Sequence, residues 1–137
     1  MLVISTEAMA ERLADLGQVE PALEVVVLFG STAKGRARPR SDVDIAVRGD
    51  GPADLDALYL ILAPRVGTDR LDLVDLRRAG PLLALEVARH GRLLFERAPG
   101  AFRGFQAFAS RRYCDTAKLR RAQERAIRVF LERQGLA

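Results

Sequence analysis

The sequence predicts an α/β domain in which a small sheet is flanked by helices. Three observations support this fold class. Short β-branched or alternating runs recur along the chain, segments with helical spacing separate them, and turn residues mark most of the boundaries. The chain has 137 residues, of which 49% are hydrophobic. That size is enough for one packed core and too small for two separate lobes.

Four short apolar segments are predicted to be strands: LEVVVLF at 23–29, VDIAV at 43–47, RLDLVDL at 70–76 and RLLFE at 92–96. Helices are predicted at 5–17, 53–66 and 81–91, and as a long tract from Pro99 onward. Ser5 and Gly17 are the expected start and stop of the first helix, and Pro81 and Gly91 mark the third in the same way.

Charge is distributed unevenly along the chain. Residues 1–96 contain 12 Lys or Arg and 15 Asp or Glu, whereas residues 97–137 contain 10 and 3. We expect residues 1–96 to form the core and residues 97–137 to form a helical extension packed on it, within the same domain. A basic tail of this kind indicates an acidic partner or nucleic acid, or else an arginine-rich helix face exposed to solvent.

Several features predict a cytoplasmic protein without membrane association. The single cysteine, Cys114, cannot form an internal disulfide, which is typical of a reducing compartment. The N-terminal segment lacks the basic and apolar regions of a signal peptide. The longest apolar runs, VVVLF and ALYLILA, are far shorter than the roughly 20 residues needed to span a membrane.

The first candidate site lies where the 23–29 strand ends in Gly30 and Ser31. Backbone N–H groups and a hydroxyl at the start of a helix favour an anion, so this position is a candidate phosphate site. Gly30 and Gly35 have the glycine spacing of a P-loop. However, Arg36 and Ala37 stand where that motif requires lysine and a serine or threonine, which argues against it.

The second candidate site is formed by aspartates inside apolar strands. Asp42 and Asp44 are two residues apart, so they project from one face of a strand with Cα atoms about 6–7 Å apart. Asp72 lies between Leu71 and Leu73 in another predicted strand. Carboxylates are costly to bury without a cation, and Mg²⁺ prefers carboxylates together with substrate phosphates. The three aspartates beside a phosphate site predict two-metal phosphoryl or nucleotidyl transfer.

The segment LFGSTAKGRARPRSDVDIAV resembles the nucleotidyltransferase superfamily related to DNA polymerase β. It contains Gly30-Ser31, then Ser41 directly before Asp42-x-Asp44. The segment DRLDLVDLRRAGPLLALEVARHGRLLFE is similar to the minimal nucleotidyltransferases within it. The resemblance implies a polymerase β-like fold with a small mixed sheet, flanking helices and a C-terminal helical tract. Members of this group are antitoxins that transfer AMP from ATP to a tyrosine of a HEPN-domain ribonuclease toxin.

The resemblance also implies roles for individual residues. Asp42, Asp44 and Asp72 would bind two Mg²⁺ ions, and Asp72 would help to activate the acceptor hydroxyl. Asp72 is preferred to Asp75 as the third carboxylate, because it shares a strand face with Val74 whereas Asp75 is expected at the strand end as a cap.

A second set of residues is expected to bind the triphosphate of ATP. Gly30 would let the backbone approach the phosphates, which Ser31 would help to hold. Arg40 and Ser41 complete the predicted nucleotide-binding set; Arg40 belongs to a basic loop that would neutralise phosphate charge or simply be solvated.

The leading functional hypothesis is an AMP-transferring antitoxin of a toxin–antitoxin module, with the HEPN toxin and ATP as its partners. One alternative is a small-molecule nucleotidyltransferase of the antibiotic-modifying type, although only residues 97–137 are left for a substrate-binding region. Another is a non-catalytic antitoxin that acts by binding. Direct nucleic-acid binding is not expected because the tail has no recognisable motif. The sequence is compatible both with a homo-oligomer and with a hetero-oligomer that includes the toxin.

Overall fold

The structure is a computed structural model that describes residues 4–33 and 42–136. Its helices are α1 (Thr6–Arg12), α2 (Leu16–Val19), α3 (Gly30–Ala33), α4 (Leu55–Val66), α5 (Pro81–His90) and α6 (Ala101–Arg133). Its strands are β1 (Leu23–Phe29), β2 (Val43–Gly49), β3 (Leu71–Asp75) and β4 (Arg92–Glu96). The predicted alternation of strands and helices is therefore confirmed, and β1 and β4 have the predicted bounds.

The four strands form one mixed sheet in the order β3-β2-β1-β4. β1 is antiparallel to both β2 and β4, and β2 is parallel to β3. A parallel pair needs a crossover, and α4 provides it between β2 and β3. The small mixed sheet flanked by helices that the sequence predicts is confirmed.

Alternate residues of the strands pack into two hydrophobic clusters, one on each face of the sheet. The first cluster joins β1, β2, β3 and β4 to α1, α2 and α4, with Leu13, Ile45 and Leu62 fully buried. The second joins the other face to α5 and the first turns of α6, with Val27, Ala46 and Phe105 among its members. β1 over Val25–Leu28 and β2 over Ile45–Val47 are buried on both sides, so these two strands form the centre of the core.

The N-terminal helix differs from its prediction. The helix starts as expected, with the Ser5 side chain accepting a hydrogen bond from the Ala8 N–H at 3.1 Å. It ends at Arg12, and Gly17 lies inside the short helix α2. The prediction that Gly17 ends a single helix was wrong, because a turn at 13–15 redirects the chain while Leu13 and Leu16 enter the same cluster.

Helix α6 has 33 residues and a length of about 50 Å. Its first turns pack on the sheet through Phe105 and Ala109, and the Arg48 guanidinium lies 5.9 Å from the Phe105 ring centroid. Every residue of 121–130 is exposed. The division into a core at 1–96 and an extension at 97–137 stays a prediction. Among the described residues, no helix is both long and apolar enough to cross a membrane.

Asp75, at the end of β3, is a charged residue buried in the core, with an exposed fraction of 4%. Its carboxylate accepts backbone N–H groups of Ala53 and Arg77, both at 3.0 Å. The Arg78 Nε atom lies 3.8 Å from the same carboxylate. Asp75 therefore ties the end of β3 to the loop that leads into α4.

We expect Asp75→Asn to lower the free energy of unfolding by about 1–3 kcal/mol, because the amide cannot accept both backbone N–H groups. Urea denaturation measures this loss. The matched control is Asp69→Asn at an exposed loop position, which we expect to change stability little. Equal losses in the two variants would contradict the structural role of Asp75.

Candidate active site

The sheet brings the three predicted aspartates to one edge of the domain. Asp44 on β2 is paired with Asp72 on the parallel strand β3, and neighbouring strands lie about 4.8 Å apart. Asp42 precedes β2 by one residue and shares the strand face of Asp44. Asp42 and Asp72 are exposed, and Asp44 is half-buried between them. The arrangement is a partly open face of carboxylates.

The electrostatics of Asp44 reflect this crowding. Burial raises the pKa of the Asp44 carboxyl above its ordinary value, and the neighbouring charges of Asp72 and Asp42 raise it further. Each cause disfavours the ionised form. A cation bound at this face would remove the repulsion, which is the behaviour expected of a site for a positive ligand.

Gly30 lies directly against this carboxylate. β1 is antiparallel to β2 with Phe29 opposite Asp44, so the next residue, the first of α3, passes beside the Asp44 side chain. A Cβ atom on Gly30 would overlap the Oδ2 atom of Asp44, and the Gly30 φ angle of 74° also favours glycine. The sequence indicated Gly30 only for its approach to phosphate. Its contact with Asp44 follows from strand register, which residue spacing does not reveal.

Asp72 and Asp75 have different surroundings although both lie on β3. Asp72 is exposed on the face of Asp44, whereas the Asp75 carboxylate is buried and already accepts two backbone N–H groups. A carboxylate occupied in that way has little capacity left for a metal ion. The geometry therefore favours Asp72 over Asp75 as the third carboxylate.

The donor set of Asp42, Asp44 and Asp72 fits Mg²⁺ in its chemistry. All three offer hard oxygen ligands, and two of them are exposed, so water and substrate phosphates can complete an octahedral shell. Within the described residues, no three acidic, histidine or cysteine side chains already converge on one point. The carboxylates form a platform, not a closed cage, which matches a metal held jointly by protein and triphosphate.

The predicted nucleotide-binding residues are described only in part. Gly30 stands at the carboxylate face, and Ser31 follows it in α3. The predicted positions Arg40 and Ser41 lie outside the described residues. No described contact therefore bears on the roles expected of Ser31, Arg40 and Ser41.

Comparison with known proteins identifies the family. Residues 11–99 match the family described as polymerase beta, nucleotidyltransferase. The chain belongs to this nucleotidyltransferase family. The predicted membership is confirmed, and the matched range contains the sheet, Gly30 and all three aspartates.

Individual relatives are also similar to the chain. The protein adenylyltransferase MntA of Aphanizomenon flos-aquae is 30% identical over 128 residues, which covers 85% of each chain. A solved toxin–antitoxin structure with AMP-PNP contains a chain that is 28% identical, with a TM-score of 0.71 and coverage of 90% of this chain and 98% of the other. A tri-AMPylated Shewanella oneidensis HEPN toxin in complex with MNT antitoxin gives 26% identity, a TM-score of 0.66 and the same coverage. The predicted polymerase β-like fold with a C-terminal helix is confirmed.

We expect Gly30→Ala to lower the free energy of unfolding by more than about 1 kcal/mol, because alanine is strained at this φ angle and its Cβ displaces the Asp44 carboxylate. Magnesium-dependent ATP binding, measured by calorimetry, should fall in the same variant. The control is Gly51→Ala, since an added Cβ there has no atom within 4 Å. A Gly30→Ala protein that kept both properties would contradict the steric argument.

We expect Asp44→Asn to raise Tm at neutral pH in the absence of divalent cations. Because the pKa of Asp44 is raised in the folded state, the folded wild-type protein loses stability as pH rises from 3.8, the ordinary pKa of an aspartate, through the folded pKa. The amide of the variant does not titrate, so the variant does not lose this stability. The gain should be a few degrees at most, since the group is only half-buried. Thermal denaturation between pH 3.5 and 7.5 measures it.

The gain from Asp44→Asn should disappear at the acid end of that range, where the wild-type carboxyl is protonated. Addition of MgCl₂ should raise Tm of the wild type and leave the variant unchanged. A variant with the same Tm as wild type at neutral pH, with and without magnesium, would show that no repulsion acts on Asp44.

Proposed function

We propose that the chain is a protein adenylyltransferase that transfers AMP from ATP to a tyrosine of a cognate HEPN-domain toxin and thereby neutralises it. The observation that carries the proposal is the face formed by Asp42, Asp44 and Asp72 beside Gly30, in a chain similar to MntA over 85% of its length. The solved relatives include an AMP-PNP complex and a tri-AMPylated toxin, which supports ATP as donor and protein as acceptor. A cytoplasmic location is part of this proposal, because ATP and a ribonuclease toxin would both be met there.

The proposed reaction follows from the chemistry of the site. Asp72 accepts the proton of the tyrosine hydroxyl, and that oxygen attacks the α-phosphorus of ATP. A new P–O bond to the tyrosine forms as the bond to the β-phosphate oxygen breaks, so pyrophosphate leaves and AMP stays on the toxin. Two Mg²⁺ ions held by Asp42, Asp44 and Asp72 would neutralise the triphosphate and make the hydroxyl more acidic.

The remaining residues of the proposed site position the nucleotide. Gly30 keeps the Asp44 carboxylate in place and leaves room for the backbone to approach the phosphates. Ser31, Arg40 and Ser41 are proposed to contact the triphosphate, with Arg40 supplying positive charge. Asp44 is the most buried of the three carboxylates, so its oxygens would offer a metal ion ligands at a fixed position. Asp42 and Asp72 are exposed and would also be accessible to substrate.

The test is the intact mass of the purified HEPN toxin after incubation with this chain, ATP and MgCl₂. Wild type should add whole AMP units, and the toxin should lose its RNase activity in step with the mass change. Asp42→Ala/Asp44→Ala should add none, and Asp72→Asn should slow transfer by about a hundredfold or more through loss of the base. Asp75→Asn, assayed below its Tm, should keep activity close to wild type.

Two outcomes would overturn the proposal. An unmodified toxin that is nevertheless inhibited equally by wild type and by Asp42→Ala/Asp44→Ala would make the chain a binding antitoxin. Transfer of AMP to a small hydroxylated or amino compound, with the toxin left unmodified, would make it a small-molecule nucleotidyltransferase.

A further inference from the structure

The free end of α6 is an amphipathic helix without packing partners among residues 4–33 and 42–136. Every residue of 121–130 is exposed, including large apolar side chains. The exposed fractions are 60% for Leu119, 58% for Ile127, 44% for Val129 and 60% for Phe130. Helices are stabilised in water chiefly by the packing of an apolar face, so this face indicates an interface with another molecule.

The two sides of this helix differ in chemistry. With 3.6 residues per turn, Leu119, Ala126 and Phe130 follow one another along a single stripe. Arg121 and Arg128 lie on the opposite side. We call the stripe, with Val129, the α6 apolar stripe.

Two arginines border the α6 apolar stripe. Arg125 and Arg133 line one shallow surface depression together with Ala126, Val129 and Phe130. Neither arginine forms an ion pair with another residue in the described part of the chain. The surface therefore combines an apolar floor with positive charge at its margin.

The composition of the helix discriminates among possible occupants. Residues 111–133 contain eight Lys or Arg and three Asp or Glu. A second copy of the chain would bring like charges together, which costs affinity. Nucleic acid would pair with the arginines but leave the stripe of Val129, Phe130 and Leu119 without apolar partners. A groove with an apolar floor and an acidic rim, on another protein, satisfies both features.

We propose that the free end of α6 docks the protein substrate of the enzyme, by inserting the α6 apolar stripe into an acid-rimmed groove of the toxin. This inference rests on the proposed function for the identity of the partner. The first turns of α6 pack on the sheet face that carries Ala46 and Val74, the same face as Asp44 and Asp72. A toxin bound at the free end is therefore held in a fixed relation to the carboxylates.

The experiment compares three double variants built from Gln, which keeps helix propensity high. Val129→Gln/Phe130→Gln removes apolar surface, and Arg125→Gln/Arg133→Gln removes bordering charge. Arg121→Gln/Arg128→Gln is the control, with the same loss of charge on the opposite side. All six positions lie beyond the last fully buried residue, Ala109, so circular dichroism and Tm should match wild type.

Affinity for the purified HEPN toxin is measured by calorimetry without nucleotide, and KM for the toxin is measured in the AMP-transfer assay. The first two variants should raise both Kd and KM for the toxin by about tenfold or more, with kcat unchanged. In the control variant, both constants should stay within about twofold of wild type. Unchanged Kd in the first two variants overturns the docking proposal, as does equal weakening in all three.

The outcomes separate docking from catalysis. If wild type binds the toxin but transfers no AMP, the proposed function fails, and the Kd comparison still decides the docking surface. If AMP is transferred and KM is unchanged in every variant, the function stands and the docking proposal is overturned. If Val129→Gln/Phe130→Gln leaves toxin affinity unchanged but changes the molar mass measured by light scattering, the stripe binds a second copy of the chain instead. If it leaves toxin affinity unchanged but abolishes binding of polyuridylate, the stripe binds RNA instead.

Discussion

Repulsion among Asp42, Asp44 and Asp72 is the constraint on which the site depends. The fold holds them together because each belongs to, or adjoins, a strand whose apolar residues pack into the core, and β2 is covered on both faces over Ile45–Val47. Hydrophobic burial of the strands offsets the unfavourable charges at their edge. The effect of the repulsion is local: the pKa of Asp44 is raised, while β2 keeps its pairing with β1 and β3. A cation bound at this face would relieve that repulsion.

Local patterns were sufficient for much of the fold. β1 and β4 have the predicted bounds because short apolar runs between turn residues leave few other ways to bury them. The break between α1 and α2 was not predictable in the same way. Leu13 and Leu16 have helical spacing, and only their joint packing under the sheet explains the turn between them. The exposure of 121–130 in α6 is likewise a tertiary property, since its spacing is that of a buried amphipathic helix.

The candidate site was predictable to the extent that it depends on strand alternation. Asp42 and Asp44 share a face for that reason, and the pairing of Asp44 with Asp72 needed only a parallel neighbour. Strand alternation already favoured Asp72 over Asp75, but the hydrogen bond that Asp75 accepts from Ala53, 22 positions away, could not be read from the sequence. The contact of Gly30 with Asp44 depended on β1–β2 register. Both are long-range facts that no local pattern contains.

The charge asymmetry of the chain separates its two tasks. The acidic carboxylate face suits metal ions and would repel an acidic protein, whereas the basic free end of α6 would attract one. A partner bound at the free end of α6 would be held there by apolar and charged contacts, and only its acceptor segment would have to reach the carboxylates. The described residues pack around a single four-stranded sheet. If the docking proposal holds, a long helix that extends beyond the sheet supplies a recognition surface without enlarging the core, and this would account for a helix of 33 residues of which only the first turns are buried.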